Sequence, residues 1–78
     1  MMKAIYFGAE WCGQCKMWKP TFEQKCKDAD IDYAIVDVDK DENLCSTYGI
    51  RNIPYVVVLD DQEDIVFKGL AFYIIPML

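Results

Sequence analysis

The sequence contains no histidine, and this absence excludes several kinds of functional site. Histidine general bases, cysteine–histidine nucleophile pairs and histidine-containing metal sites all need a residue that the chain does not have. Basic residues are also scarce, because eight lysines and arginines stand against thirteen aspartates and glutamates, for a net charge of −5. A surface that binds nucleic acid needs the opposite balance, so we expect no nucleic-acid partner.

Long hydrophobic runs are missing as well. The apolar stretch 4–8 is too short for the core of a signal peptide, and the apolar stretch 70–78 is too short to span a bilayer. We therefore expect a cytoplasmic protein that has no membrane partner.

With 78 residues, of which 54% are hydrophobic, the chain can form one small packed domain over 1–78 but not two.

Short apolar runs alternate with helical patterns along the chain. Strands are predicted at 3–8, 33–38, 55–59 and 65–68. Helices are predicted at 12–27, from a cap within 39–41 to 48, and from 71. The order β-α-β-α-β-β-(α) favours a parallel pair across the first helix and a hairpin at the end. We expect an α/β fold with a central mixed four-stranded sheet flanked by helices.

Cys12 and Cys15 form a CxxC motif between the first strand and the first helix. Unpaired N–H groups and the positive end of the helix dipole stabilise a thiolate there, so we expect the pKa of Cys12 to lie below its ordinary value. Two intervening residues place the second sulfur within reach of the first. Cys12 is then the attacking thiolate, and Cys15 resolves the mixed disulfide. Gly13 permits a tight turn at the junction of strand and helix.

The alternative for a CxxC motif is half of a zinc site. Such a site needs a second cysteine pair or histidines, and only Cys26 and Cys45 remain, without a matching spacing. We expect no metal. Because free cysteine behaves as a small apolar residue, Cys26 and Cys45 are interpreted as packing residues. A disulfide between them is not expected in a reducing cytosol.

Two segments of the sequence resemble the thioredoxin family. The first reads Ala-Glu-Trp-Cys-Gly-Gln-Cys-Lys over 9–16, and the second reads Tyr-Gly-Ile-Arg-Asn-Ile-Pro over 48–54. The resemblance covers about residues 5–69 and implies a minimal thioredoxin fold, with Cys12 and Cys15 as the redox-active pair. It also implies that Pro54 is a cis proline facing the cysteines, which leaves the backbone of Ile53 free to pair with an extended substrate.

The same resemblance implies an apolar docking surface around the sulfur. The alternative for its most prominent member, Trp11, is an ordinary core position. The expected substrate-binding residues are Trp11, Gly13, Ile53, Pro54, Tyr55 and Gly69.

Three features depart from the pattern of the family. Gln14 stands where proline is usual, and we expect this change to shift the redox potential upward from about −270 mV. Tyr6 stands where a buried acid is usual, so the acid that would accept the proton of Cys15 is missing. Either water, or Tyr6 as a hydrogen-bond partner, must take the place of that acid. The sequence also has no counterpart of the leading strand and helix of the family, and in size it is similar to glutaredoxins.

These features predict a cytoplasmic, monomeric thiol–disulfide oxidoreductase that reduces protein disulfides in electron transport and cell redox homeostasis. Its partners would be disulfide-containing proteins and a reductase or another thiol that donates electrons, and no cofactor is expected. Two alternatives stay open: a glutathione-dependent, glutaredoxin-like activity, and a thioredoxin-like binding module whose cysteines act as a redox sensor.

Overall fold

The computed structural model of the chain describes residues 2–78, which build one four-stranded sheet with helices on both faces. The strands are β1 (Lys3–Gly8), β2 (Asp32–Asp37), β3 (Tyr55–Leu59) and β4 (Ile65–Leu70). The helices are α1 (Gly13–Asp28), α2 (Glu42–Tyr48) and α3 (Ala71–Ile74), and a 3-10 turn follows at Ile75–Met77. This element order confirms the predicted α/β arrangement.

The strand order in the sheet is β2-β1-β3-β4. β1 pairs with β2 in parallel, with Gly8 opposite Asp37, whereas the pairs β1–β3 and β3–β4 are antiparallel. The mixed four-stranded sheet is therefore confirmed. β1 and β3 lie at its centre because their nearly continuous apolar sequences suit strands that are covered on both faces.

Side chains of β1 alternate between two cores, as the twofold repeat of a strand requires. Ala4 and Tyr6 pack with α1, α3 and the 3-10 turn on one face of the sheet. Ile5 and Phe7 pack with α2 on the other face. Because α1 follows β1 directly, its first residues lie at the carboxyl end of a central strand.

Helix α1 buries one stripe of side chains. Phe22 and Cys26 are fully buried, and Trp18 packs beside them, as expected for residues four positions apart on one helix face. The helix continues through the exposed Pro20 and ends at Asp28. A proline removes one hydrogen bond of the helix, and the packing of the stripe maintains the helix beyond it.

Helix α2 begins and ends at the residues that its sequence predicts. The side chain of Asp41 caps the first turn by accepting a hydrogen bond from the backbone N–H of Leu44, at 3.2 Å. Gly49 ends the helix in the left-handed conformation, with φ of 64°, which glycine adopts without steric cost. α2 carries the chain back toward the sheet just before Pro54.

The observed bounds of several elements differ from the predicted ones by one or two residues. β4 ends two residues later than predicted, because Gly69 and Leu70 pair with Val56 and Tyr55. β2 lies one residue earlier than predicted. Helix α3 is a single turn that ends at Ile74, and the following residues continue as the 3-10 turn.

The apolar C-terminal segment divides between core and surface. Ile74 and Ile75 are 5% and 1% exposed and pack in the core, while Phe72, Tyr73 and Met77 lie on the surface. None of the helices within residues 2–78 is long and apolar enough to cross a bilayer.

Candidate active site

Cys12 and Cys15 are joined by a disulfide at the start of helix α1, with their Cα atoms 5.2 Å apart. Cys12 is the N-cap residue in an extended conformation, and Cys15 lies in the first turn. The backbone N–H of Cys15 donates a hydrogen bond to the Sγ of Cys12, with 3.1 Å between nitrogen and sulfur. The sulfur thus takes the place of the oxygen in an ordinary N-cap, at the positive end of the helix dipole.

The two cysteines differ in their access to solvent. Cys12 is half-buried at the helix start, whereas Cys15 is only 3% exposed. A disulfide on another protein can therefore approach Cys12 and not Cys15. The division into an attacking and a resolving cysteine stays a prediction.

Trp11 lies on the surface directly before the pair, with 70% of its area exposed. The alternative that it is an ordinary core residue is therefore wrong. Its indole Nε1–H donates a hydrogen bond to Oδ2 of Asp39, at 2.8 Å. Asp39 was not singled out from the sequence, because the two residues are 28 positions apart and no spacing links them.

A surface groove of about 470 Å³ connects Trp11 with the residues before Pro54. We call it the Trp11 groove. Both apolar and charged or polar side chains line it, and these residues are Trp11, Val38, Glu42, Cys45, Ser46, Ile50, Arg51 and Ile53. Of the six predicted substrate-binding residues, the groove brings together Trp11 and Ile53.

Pro54 is buried and follows a cis peptide bond from Ile53, as the resemblance implies. Ile53 itself precedes β3 and lies outside the paired residues of the sheet. The carbonyl oxygen of Pro54 accepts a hydrogen bond from the backbone N–H of Ala71, at 2.9 Å. Tyr55 opens β3, is half-buried and packs in the same core cluster as Ile53.

The two predicted glycines have different surroundings. Gly13 is the first residue of α1, lies outside the positive-φ region, and would have nothing within 4 Å of an added Cβ. The structure therefore makes no use of its conformational freedom, contrary to the predicted tight turn. A Cβ on Gly69 would meet Cδ1 of Ile74 at 3.2 Å, so glycine there allows α3 to approach the sheet. Gly69 does not line the Trp11 groove.

Tyr6 contacts the site from β1, below the cysteine pair. Its hydroxyl donates a hydrogen bond to the carbonyl oxygen of Cys15, at 2.7 Å, and not to the sulfur. Burial raises the pKa of Tyr6 to about 12. The phenol is thus protonated at neutral pH, and its hydrogen is bound to the Cys15 backbone. Tyr6 is therefore a hydrogen-bond partner of Cys15 but not a proton acceptor, and water stays the other predicted alternative.

The two remaining cysteines are free thiols. Cys26 is fully buried, and burial together with the nearby Glu23 raises its pKa to about 11. Cys45 is half-buried, and its partial burial, followed by the carboxylates of Asp41, Glu42 and Asp39, raises its pKa. Both therefore remain protonated thiols at neutral pH, as packing residues do.

A disulfide at a helix start, a cis proline before a central strand and a mixed sheet together define the thioredoxin-like class of folds. The profile of the thioredoxin family matches residues 2–70 of the chain. This chain belongs to the thioredoxin family.

Known relatives and solved structures agree with this assignment. Thioredoxin of Mycoplasmoides gallisepticum is 43% identical over 60 residues, covering 76% of this chain and 60% of the relative. Thioredoxin of Borreliella burgdorferi is 39% identical over 57 residues, covering 70% of this chain and 49% of the relative. The structure of a mutant thioredoxin from Halobacterium salinarum superposes with a TM-score of 0.85 at 29% identity, covering 97% of this chain and 70% of that one. The chain spans between 35% and 64% of the length of these and similar curated relatives.

Proposed function

We propose that this chain is a thiol–disulfide oxidoreductase that reduces protein disulfides by dithiol exchange through Cys12 and Cys15. The observation that carries the proposal is the partly exposed Cys12 at a helix N-terminus, joined to a buried cysteine one turn on. A thiolate is the attacking species in disulfide exchange, and this position stabilises one.

The reaction begins with the reduced pair. The thiolate of Cys12 attacks one sulfur of the substrate disulfide, forms a mixed disulfide and releases the other substrate sulfur as a thiolate. Cys15 then loses its proton and attacks the Sγ of Cys12. The bond between Cys12 and the substrate breaks, the substrate leaves as a dithiol, and the Cys12–Cys15 disulfide of the structure is formed. Two electrons pass from the pair to the substrate in each cycle.

The proposed substrate site extends from the sulfur of Cys12 into the Trp11 groove. Trp11 offers a large exposed apolar face, and Ile53 lines the same groove with a backbone outside the sheet. Open space at Gly13 lets a substrate backbone approach the helix start. Buried Pro54 fixes the position of Ile53 and Tyr55, and Gly69 lets α3 dock beside Pro54, so these residues support the site from behind.

The proposed partners are disulfide-containing proteins and a reductase or another thiol that restores the reduced pair. We further propose that residues 1–78 act as a single domain and a monomer in the cytoplasm, in electron transport and redox homeostasis. The free thiols of Cys26 and Cys45 suit a reducing compartment of this kind. Size-exclusion chromatography with light scattering tests the monomer, and cell fractionation tests the compartment.

Reduction of the interchain disulfides of insulin tests the activity directly. The chain should accelerate reduction by dithiothreitol, and the double variant Cys12→Ser/Cys15→Ser should be inactive. Replacing dithiothreitol by NADPH with thioredoxin reductase, or by glutathione with glutathione reductase, identifies the electron donor. Equal rates with and without the chain would contradict the proposal.

A further inference from the structure

A cavity of about 290 Å³ opens beside the buried Cys15 and shares no residue with the Trp11 groove. Its walls come from β1, the start of α1 and the end of β2. The cavity borders Gly8, where a Cβ would lie 3.1 Å from the Cβ and 3.3 Å from the Sγ of Cys15. The sulfur of Cys15 therefore lies close to the backbone of Gly8, and both residues line a space large enough for several water molecules at about 30 Å³ each.

This cavity is the route by which the proton of Cys15 can leave. In the proposed function, on which this inference rests, Cys15 must become a thiolate before it attacks Cys12. Cys15 is 3% exposed, so the ionisable groups that line this cavity with it are the nearest protein candidates for taking up the proton. The other ionisable groups on the cavity walls are Tyr6, Glu10, Lys16, Lys19 and Asp37.

Three of these five groups cannot accept the proton at neutral pH. The hydroxyl of Tyr6 is a protonated phenol whose hydrogen is bound to the carbonyl of Cys15. Lys16 and Lys19 carry ammonium groups, which only donate. The carboxylates of Glu10 and Asp37 remain.

The sheet distinguishes the two carboxylates. Asp37 is the register partner of Gly8, so the two Cα atoms lie on neighbouring strands about 4.8 Å apart and their substituents share one face. Asp37 is half-buried, and its Oδ1 accepts the backbone N–H of Asp39 at 2.9 Å, which orients the carboxylate. Glu10 lies exposed in the turn before α1.

We infer that Asp37 accepts the proton of Cys15 through water in this cavity during resolution of the mixed disulfide. The S–H bond of Cys15 breaks, its proton passes to the carboxylate, and its electron pair forms the bond to the Sγ of Cys12. The bond from Cys12 to the substrate breaks, and the substrate thiolate leaves with that electron pair. The proton on Asp37 returns to solvent. Asp37 is thus a relay group that acts on the reaction through Cys15.

A reagent that reports the two exchange steps separately tests this role. An aromatic disulfide such as dithiobis(nitrobenzoate) releases one coloured thiol when reduced Cys12 attacks and a second when Cys15 resolves the adduct. Asp37→Asn keeps an oxygen that accepts the hydrogen bond from the backbone N–H of Asp39 but removes the base. The second release should therefore slow about 10-fold or more, while the first stays within about twofold. Glu10→Gln, the matched control on the same cavity, should leave both rates within about twofold.

The direction of the change separates a relay from a simple charge effect. A negative charge alone opposes the thiolate of Cys15, so its removal would speed the second release. In Asp37→Asn the rate of the second release should increase about tenfold per pH unit, as expected when hydroxide becomes the base. This increase should be steeper than in the unmodified chain. In Asp37→Ala, added formate should restore the rate in a saturable way.

An unchanged or faster second release in Asp37→Asn, or equal slowing in Glu10→Gln, would overturn the inference while leaving the proposed function intact. If the unmodified chain gives no second release at all, the proposed function itself is wrong.

Discussion

The backbone N–H of Cys15 donates a hydrogen bond to the sulfur of Cys12 across the first turn of α1, at 3.1 Å. When the disulfide is reduced, the same donor and the helix dipole remain in place for the Cys12 thiolate. Cys15 makes no comparable approach to solvent, since 3% of it is exposed. We therefore expect the helix start to favour Cys12 as the attacking group in the proposed exchange.

Replacing the resolving cysteine should trap the substrate. In Cys15→Ser the mixed disulfide on Cys12 forms but cannot be broken by its neighbour, so covalent complexes should accumulate with a disulfide-containing substrate such as insulin. Non-reducing electrophoresis and mass spectrometry measure them. Cys12→Ser is the matched control and should trap at most a tenth as much, because Cys15 is covered. Equal trapping by both variants would contradict the assigned roles.

Removing the hydroxyl of Tyr6 should affect stability more than activity. Tyr6→Phe loses the buried 2.7 Å hydrogen bond to the Cys15 carbonyl, and we expect the free energy of unfolding to fall by about 1 kcal/mol. Urea denaturation measures this change. The rate of insulin reduction should stay within about threefold, since the phenol does not bind the sulfur.

Tyr33→Phe provides the control for Tyr6→Phe. The hydroxyl of Tyr33 donates to Oε2 of Glu23 at 3.3 Å in a partly buried position, a longer bond whose loss should cost less. A loss of activity of tenfold or more in Tyr6→Phe, with stability unchanged, would show that the phenol takes part in the chemistry.

Stability should fall at alkaline pH because of Cys26. The pKa of this thiol rises from 9.0 to about 11 on folding, since burial and Glu23 disfavour the thiolate. Between these values the unfolded chain releases the proton and the folded chain keeps it. The stabilisation is therefore complete below pH 9 and is lost as the pH rises through about 11.

Urea midpoints of the oxidised protein at several pH values from 8 upward measure this dependence. Cys26→Ala lowers the midpoint at every pH through lost packing but should give a shallower decline above pH 9, because one titrating group is gone. Other groups that titrate in this range, Tyr6 among them, are common to both proteins. Identical slopes would contradict the assigned cause.

Trp11 should determine how well protein substrates bind. Trp11→Ala removes the largest exposed face of the groove, and we expect the KM for insulin to rise about 10-fold with kcat nearly unchanged. Met17→Ala is the control, because it removes an exposed apolar side chain of α1 that does not line the groove. This variant should leave KM within about twofold. If both variants behave alike, the groove does not bind the substrate.

Local signals in the sequence were sufficient for most of the fold. β1 and β3 were predicted at their observed bounds because both are short apolar runs, one ending in glycine and the other lying between a proline and an aspartate. The cap at Asp41 and the glycine at Gly49 marked the ends of α2. The last two residues of β4 were missed, because Gly69 has low strand propensity and only pairing with Val56 holds it in the sheet.

The parts of the site that the sequence did not reveal depend on register and on long-range contacts. Asp37 lies beside Gly8 only because β1 and β2 pair in one register, and a shift by one residue would turn its side chain to the other face. The contact from Trp11 to Asp39 likewise joins two loops that the sheet brings together. The sequence identified the cysteine pair, because spacing and the adjacent strand and helix determine its chemistry locally.

A redox titration of the Cys12–Cys15 pair tests the central claim most directly. The chain is equilibrated with graded ratios of reduced to oxidised dithiothreitol or glutathione, alkylated, and scored by mass for zero or two reacted thiols at this pair. Because Gln14 stands in place of proline, we expect one two-electron transition between about −270 and −180 mV, in the range of disulfide-exchanging enzymes. A pair that stays oxidised below about −300 mV would be a structural disulfide and would contradict the claim.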